Sequence, residues 1–317
     1  MSVLVTGGSG FIGNHLVPLL AESGFEDVRV IDRQRHSNVG QIRCRFYEGD
    51  FVRIISEQPE VLSGVDVVFH LAWASIHESS TRDPVHDINA NLVPTIRLLE
   101  QCVLKRVKRV VFLSSGGTVY GLPKYLPISE DHPTEPISAY GISKLAVEKY
   151  LALFYRLYGL EYAILRPSVP YGEYQSPFGR QGAVAVFFGR ILQHKPIVIW
   201  GDAEETVRDF FHVTDLVRAC VLAANSDRPT GIYNLGGETG ISLASLIDAM
   251  SEIVGPRYAI EIQSTSSRPF DVPKVVLDIS RASRLLDWKP EIDLTSGLQR
   301  TWEWLHALPV PTALRIK

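Results

Sequence analysis

Tyr140 and Lys144 stand four residues apart in the run AYGISK, residues 139–144. On a helix that spacing puts both side chains on one face. A free tyrosine has a pKa of about 10 and is a poor base at neutral pH. A nearby ammonium favours the phenolate, so Lys144 is expected to lower that pKa. The pair can then serve as general acid and base, with the lysine also able to bind a ribose hydroxyl. Tyr-x-x-x-Lys is common, and alone it equally describes exposed polar residues on a helix. Here it follows an apolar run that ends in Ser114-Ser115-Gly116-Gly117-Thr118-Val119-Tyr120-Gly121. Hydroxyls at the carboxyl end of a strand lie where a substrate would sit, if the same sheet holds a cofactor.

The amino-terminal stretch VTGGSGFIG, residues 5–13, supplies that condition. A strand SVLVT must turn sharply, a pyrophosphate needs bare backbone, and the following helix must pack close. Glycine serves each need. Both Gly8-x-Gly10-x-x-Gly13 and Gly7-x-x-Gly10-x-x-Gly13 fit. The helix that follows would aim its free N–H groups at the phosphates. The second strand ends in Asp32, about 20 residues after the last glycine, where an acid binds the adenosine ribose diol. A carboxylate there repels a 2′-phosphate and favours NAD. Arg33 and Arg35 follow at once and keep NADP as the lesser option.

The elements that must position these residues are short, β-branched apolar runs separated by helical patterns. The runs are SVLVT (2–6), VRVID (28–32), RCRFY (43–47), DVVFHLA (66–72), RVVFLSS (109–115) and YAILR (162–166). Continuous apolar strands alternating with helices imply a parallel sheet covered on both faces. The expected fold is therefore α/β, a doubly wound Rossmann sheet followed by a smaller mixed α/β domain. Leu92, Ile96, Leu99 and Val103 mark an amphipathic helix, which Pro94 is expected to bend. Residues 139–158 form another, ending near Gly159, and 183–193 a third. The Pro- and Gly-rich stretch 167–182 reads as loop, and IVIW (197–200) as a short strand. The boundary falls near 167, giving a cofactor domain of 1–166, with returns of the chain near 206–235, and a substrate domain of 167–317.

Composition narrows the partners. The 317 residues carry a net charge of −3 with no Lys/Arg block, which argues against nucleic acid. No apolar run approaches the ~18 residues of a spanning helix, and no signal peptide is recognisable. Cys44, Cys102 and Cys220 are far apart, which argues for a reducing compartment and against disulfides or a zinc site. The histidines, His77 among them, show no metal spacing. A soluble cytoplasmic protein without a metal is expected.

TGGSGFIG, the acid at 32, GD at 49–50, HLAW at 70–73, SSGGTVYG and YGISK occur in the order found in the extended short-chain dehydrogenase/reductase family. LRPSVPYG (165–172), GDAEETVRDFFHVTDLV (201–217), YNLGG (233–237), RPFDVPKVVLD (268–278) and LLDWKP (285–290) extend the match over nearly the whole chain. The sequence resembles the nucleotide-sugar epimerase/dehydratase branch, near the UDP-hexose 4-epimerases. The resemblance implies that Gly7, Gly10, Phe11, Ile12 and Gly13 hold the pyrophosphate and that Asp32 and Arg33 lie at the adenosine ribose. It puts Asp50 and Phe51 at the adenine, and Leu71, Ala72 and Ala74 along the path to the nicotinamide. Asn91, Ser114, Pro167 and Ser168 complete the cofactor set, together with Tyr140 and Lys144. Arg208 and Arg268 would grip the substrate diphosphate, a task that suits guanidinium geometry; the plainer alternative is ion pairs with Asp209 and Asp271. Gly116, Val169, Asp271 and Val275 join Ser115 and Thr118 at the substrate. His70 would be positional.

Four departures from the family pattern qualify that picture. Gly116 stands where many relatives carry the catalytic Ser or Thr, so Ser115 or Thr118 must supply the hydroxyl, with Ser115 preferred as nearer the strand end. Gly116-Gly117 also replaces the Asp-Glu pair of the 4,6-dehydratases, which argues against dehydration. Val169 replaces a common Asn, and Pro94 a common Gly. Val275, where hexose-only epimerases tend to carry Tyr, would leave room for a 2-N-acetyl group. The reading is an NAD-dependent 4-epimerase of a UDP-hexose or UDP-N-acetylhexosamine, with Tyr140 as acid/base, acting as a homodimer through its 91–105 and 139–158 helices. A 4-keto-sugar reductase using NAD(P)H is the nearest alternative. A 4,6-dehydratase and a non-catalytic NAD-binding regulator are more remote.

Overall fold

Alternation within the short apolar runs builds two cores on one sheet. In the first strand, β1 (Ser2–Thr6), Val3 and Val5 join one buried cluster and Leu4 the other. Side chains of a strand point to opposite faces in turn, so a fully apolar run serves a sheet covered on both sides. The computed structural model describes residues 1–35, 39, 42–268 and 271–308. After β1 come β2 (Asp27–Asp32), β3 (Arg45–Glu48), β4 (Val67–His70), β5 (Arg109–Leu113) and β6 (Glu161–Pro167). The second half adds β7 (Val169–Tyr171), β8 (Ile197–Trp200), β9 (Val207–Arg208), β10 (Phe210–His212), β11 (Thr230–Leu235), β12 (Ile241–Ser242), β13 (Ile262–Thr265) and β14 (Lys274–Val275).

Seven strands form one parallel sheet in the order β11-β6-β5-β4-β1-β2-β3. The chain runs outward from β1 through β2 to β3, then restarts on the other side of β1 with β4. That reversal is the switch point at which a doubly wound sheet opens a crevice beyond its strand ends. The stretch expected to be loop, 167–182, contributes the short strand β7, paired with β10. The late strand β11 returns to the main sheet beside β6, and the Val213–Asn225 helix before it packs on the Gly13–Glu22 helix.

Pro94, expected to bend its helix, stands at the helix start. A π-turn over Ile88–Leu92 leads into the Val93–Leu104 helix, and Pro94 sits in that helix's first turn, where its missing N–H costs nothing. The Ala139–Tyr158 helix begins at Ser138, whose hydroxyl accepts from the Gly141 N–H, and ends at Gly159 with φ +72°. A third apolar cluster, including Phe188, Ile199, Leu246, Met250 and Trp302, gives the second half its own core. Among the described residues no helix is long and apolar enough to cross a membrane.

Candidate active site

Gly7 fixes the turn after β1. Its φ is +74°, and a Cβ there would lie 2.8 Å from the Ala72 nitrogen. Left-handed backbone and lack of room both demand glycine. Gly13 opens the Gly13–Glu22 helix, and a Cβ on it would lie 2.4 Å from the Gly8 carbonyl. Helix and turn are therefore packed backbone to backbone, with Gly10, Phe11 and Ile12 between them. Of the two glycine spacings, the one starting at Gly7 contains the left-handed residue. The result is bare backbone beside the start of a ten-residue helix, which suits a diphosphate.

Asp32 stands next to that turn. Its Oδ2 accepts from the Ser9 N–H at 2.8 Å and its Oδ1 from the Arg33 N–H at 2.7 Å. Asp50 caps the Phe51–Glu57 helix by accepting from the Val52 N–H at 2.9 Å. The neighbouring Gly49 N–H bonds to the Asp32 carbonyl at 2.8 Å, so the residues expected at the adenosine adjoin one another. Across the switch point, Leu71 N–H bonds to the Thr6 carbonyl at 3.1 Å, and Ala74 N–H to Asn91 Oδ1 at 2.7 Å. His70 is buried between Thr6 and Thr95, 2.8 and 2.9 Å from their hydroxyls, and burial pushes its imidazole down to about 3. The ring thus links β4 to β1 and to the Val93–Leu104 helix.

Tyr140 and Lys144 lie on the first turns of the Ala139–Tyr158 helix. Lys144 is 4% exposed; its Nζ donates to the Leu113 carbonyl at 2.7 Å and sits 3.7 Å from the centre of the Trp73 ring. The same ammonium is 4.8 Å from the Phe112 ring and 5.6 Å from that of Tyr140. Burial pushes Lys144 down to about 7, against the pull of Asp87 and Glu148. The Tyr140 phenol is pushed up, first by burial and then by the charge of Asp87. This is opposite in sign to the lowering expected from the Tyr-x-x-x-Lys spacing. The spacing fixes the shared face but not the carbonyl, the indole and the carboxylate that surround it.

The hydroxyls divide by environment. Ser114 donates to Glu148 Oε1 at 2.5 Å and belongs to the network behind the sheet. Ser115 is half-buried, and its carbonyl receives the Thr118 and Val119 N–H groups at 3.3 and 3.2 Å. Thr118 is 5% exposed, and its hydroxyl is buried with no hydrogen-bond partner among the described residues. Its carbonyl would lie 2.7 Å from a Cβ on Gly141, the residue after Tyr140. Gly116 has a steric cause: a Cβ there would meet Leu277 Cδ1 at 2.4 Å and the Arg166 carbonyl at 2.9 Å. Gly116→Ser, which restores the residue common in relatives, should therefore lower the thermal midpoint, at a cost of about 1–3 kcal/mol, and not raise the rate. A variant as stable as the parent and faster would contradict this.

The second half brings its residues to the same edge. Arg208 donates to the Pro273 carbonyl at 2.7 Å and to the Val207 carbonyl at 2.9 Å, and is not paired with Asp209. Asp209 instead accepts from the backbone of Gly237 and Leu277. Arg268 and Asp271 do form a pair, at 2.8 and 3.1 Å. Burial and the charge of Arg268 push the Arg208 guanidinium down. Val275 is 3% exposed, packed with Val119, Tyr120 and Leu277. Pro167 accepts from the Gly116 N–H at 2.8 Å, Ser168 turns its hydroxyl to the Asp209 carbonyl, and half-buried Val169 pairs with Phe210. Pro269 and Phe270 of the RPFD stretch lie outside the described residues.

Three residues at this site were given no role from the sequence, although Trp73 closes the HLAW motif. His77 stacks on the Tyr140 ring at 4.8 Å and 20°. Burial pushes its imidazole down to about 4, with Asp271, Arg268 and Arg208 all near enough to act on it. Trp73 covers Lys144 and meets Tyr140 edge-on at 5.9 Å. Trp200, 46% exposed at the end of β8, lies under the Arg268 guanidinium at 5.2 Å. Among the described residues no three His, Cys, Asp or Glu side chains are grouped to hold a metal.

Known proteins with this architecture share the sequence pattern. The family model described as NAD dependent epimerase/dehydratase family matches residues 3–236. The UDP-glucose 4-epimerase of Mycolicibacterium smegmatis is 35% identical, over 96% of this chain and 99% of that protein. The crystal structure of UDP-glucose 4-epimerase from Thermotoga maritima, determined with UDP-glucose, is 37% identical and superposes with a TM-score of 0.89, covering 96% of this chain and 99% of that one. The Thermus thermophilus UDP-glucose 4-epimerase complexed with NAD is 33% identical with a TM-score of 0.88, covering 97% and 99%. With its glycine turn, switch-point sheet and Tyr140–Lys144 helix, the chain belongs to the NAD-dependent epimerase/dehydratase family.

Proposed function

We propose that this chain is an NAD-dependent 4-epimerase of a UDP-hexose or UDP-N-acetylhexosamine. The observation that carries the reading is the placement of Tyr140 and Lys144 on the first turns of one helix beside Thr118, whose carbonyl packs against Gly141 and whose buried hydroxyl has no hydrogen-bond partner among the described residues. Gly7, Gly10 and Gly13 would hold the NAD diphosphate, Asp32 the adenosine ribose, and Lys144 a hydroxyl of the second ribose. Bound NAD would supply the hydride acceptor and donor at sugar C4. Tyr140 takes the proton of the 4-hydroxyl and returns it after the 4-keto sugar has turned its other face. Thr118 or Ser115 would orient that oxygen; the buried hydroxyl of Thr118, a residue whose carbonyl packs against Gly141 at the start of the Tyr140 helix, supports Thr118. Arg208 and Arg268 would hold the substrate diphosphate, and exposed Trp200 offers a face for the base.

Residues 1–166 with the 206–235 return would form the cofactor half, and 167–317 the substrate half. Exposed Val93, Leu104, Ile142, Leu153 and Leu157 on the Val93–Leu104 and Ala139–Tyr158 helices support a homodimer. Three unpaired cysteines support a cytoplasmic location.

Incubation of the purified protein with UDP-glucose, and separately with UDP-N-acetylglucosamine, without added cofactor tests the assignment. The expected result is the galacto isomer by NMR with no net reduced nicotinamide. Absence of conversion, with oxidation of added NAD(P)H by a 4-keto sugar, would instead make it a reductase.

A further inference from the structure

Asp87 is fully buried at the end of the short Pro84–Asp87 helix, and the reaction as described makes no use of it. Its Oδ1 accepts from Asn91 Nδ2 at 3.0 Å and from the Ser75 hydroxyl; its Oδ2 accepts from the Ser143 hydroxyl at 2.5 Å. Asn91 in turn donates to Ser75 Oγ at 2.9 Å and accepts from the Ala74 N–H at 2.7 Å. One carboxylate thus ties three separate pieces together. These are the loop after β4, the π-turn over Ile88–Leu92, and the helix turn that holds Tyr140 and Lys144.

We infer that Asp87 is a positioning residue: it locks the loop after β4 to the catalytic helix, and its charge sets the pH range in which Tyr140 and Lys144 work. The assignment rests on the epimerase reading, in which those two residues are the acid–base pair. A buried negative charge opposes formation of the Tyr140 phenolate and favours the Lys144 ammonium. Both residues respond to Asp87 in that sense.

The other charged neighbours are accounted for. On the catalytic helix, Glu148 is paired with Arg166. On the His77–Arg82 helix, Glu78 pairs with Arg180 at the surface, Arg82 is exposed, and His77 is held neutral by burial. Asp83 and His86, on the same stretch as Asp87, are exposed.

The test is the pH profile of epimerisation for the parent protein, Asp87→Asn, Asp87→Ser and Ser143→Ala. Removing the charge lets the phenolate form, and the ammonium lose its proton, at lower pH. Both limbs of the profile should therefore move to lower pH by roughly one unit in the two neutral variants. Ser143→Ala keeps the carboxylate and should lose rate without moving the limbs. Unmoved limbs in folded Asp87→Asn or Asp87→Ser overturn the inference, as does an equal shift in Ser143→Ala. Failure of both neutral variants to fold makes Asp87 structural only and also overturns it. Absence of epimerisation by the parent protein refutes the functional reading itself, a result distinct from all of these.

Discussion

Tyr140→Phe lowers kcat by about 10²–10⁴-fold, the usual contribution of a positioned acid–base group. The fold and the binding of NAD are expected to survive. The Tyr140 ring is held by His77 stacked at 4.8 Å and Trp73 edge-on at 5.9 Å, and both contacts involve the ring, not the hydroxyl. Phenylalanine keeps that packing and removes only the group that exchanges a proton with the sugar. KM should therefore change little, because the diphosphate contacts assigned to Arg208 and Arg268 are on other elements. The measurement is steady-state epimerisation together with fluorescence titration of NAD. Retention of more than a tenth of the parent rate would remove Tyr140 from the chemistry.

Glu148→Ala should cause the largest loss of stability. Arg166 and Glu148 are 2% and 1% exposed, and the guanidinium donates twice to the carboxylate, at 2.9 and 2.5 Å. Arg166 also donates to the Tyr120 hydroxyl at 2.8 Å, which donates to Asn234 Oδ1 at 2.7 Å, linking β6 to β11. Truncating one member of such a pair leaves a buried charge without compensation, at a cost of about 3–5 kcal/mol. Replacing both partners with apolar residues of similar size, Arg166→Met with Glu148→Leu, should recover much of that loss, because no charge is then stranded. Thermal denaturation of the single and double variants decides the matter. A single variant as stable as the parent, or a double variant less stable than either single one, would count against a charge-based account.

The sequence by itself determined what depends on neighbours along the chain. The β1 turn, the acid at the end of β2, the capped helix from Ala139 and the shared face of Tyr140 and Lys144 follow from local rules of glycine, alternation and helical period. Asp32 could be placed because a strand, a turn and a helix separate it from the glycines by a nearly fixed length. The two-faced core was legible for the same reason, since an uninterrupted apolar strand has no polar side to expose.

Tertiary structure alone decided what depends on residues far apart in the chain. Gly116 is glycine because Leu277, distant in sequence, fills the space beside it. His77 reads as an ordinary surface histidine until the loop after β4 folds it onto Tyr140. The electrostatics of the pair were not legible either. Spacing placed an ammonium near a phenol, but burial set the sign of both shifts, with Asp87 adding to the rise at Tyr140 and opposing the fall at Lys144. Desolvation and charge act through space, and a linear pattern carries no measure of that distance.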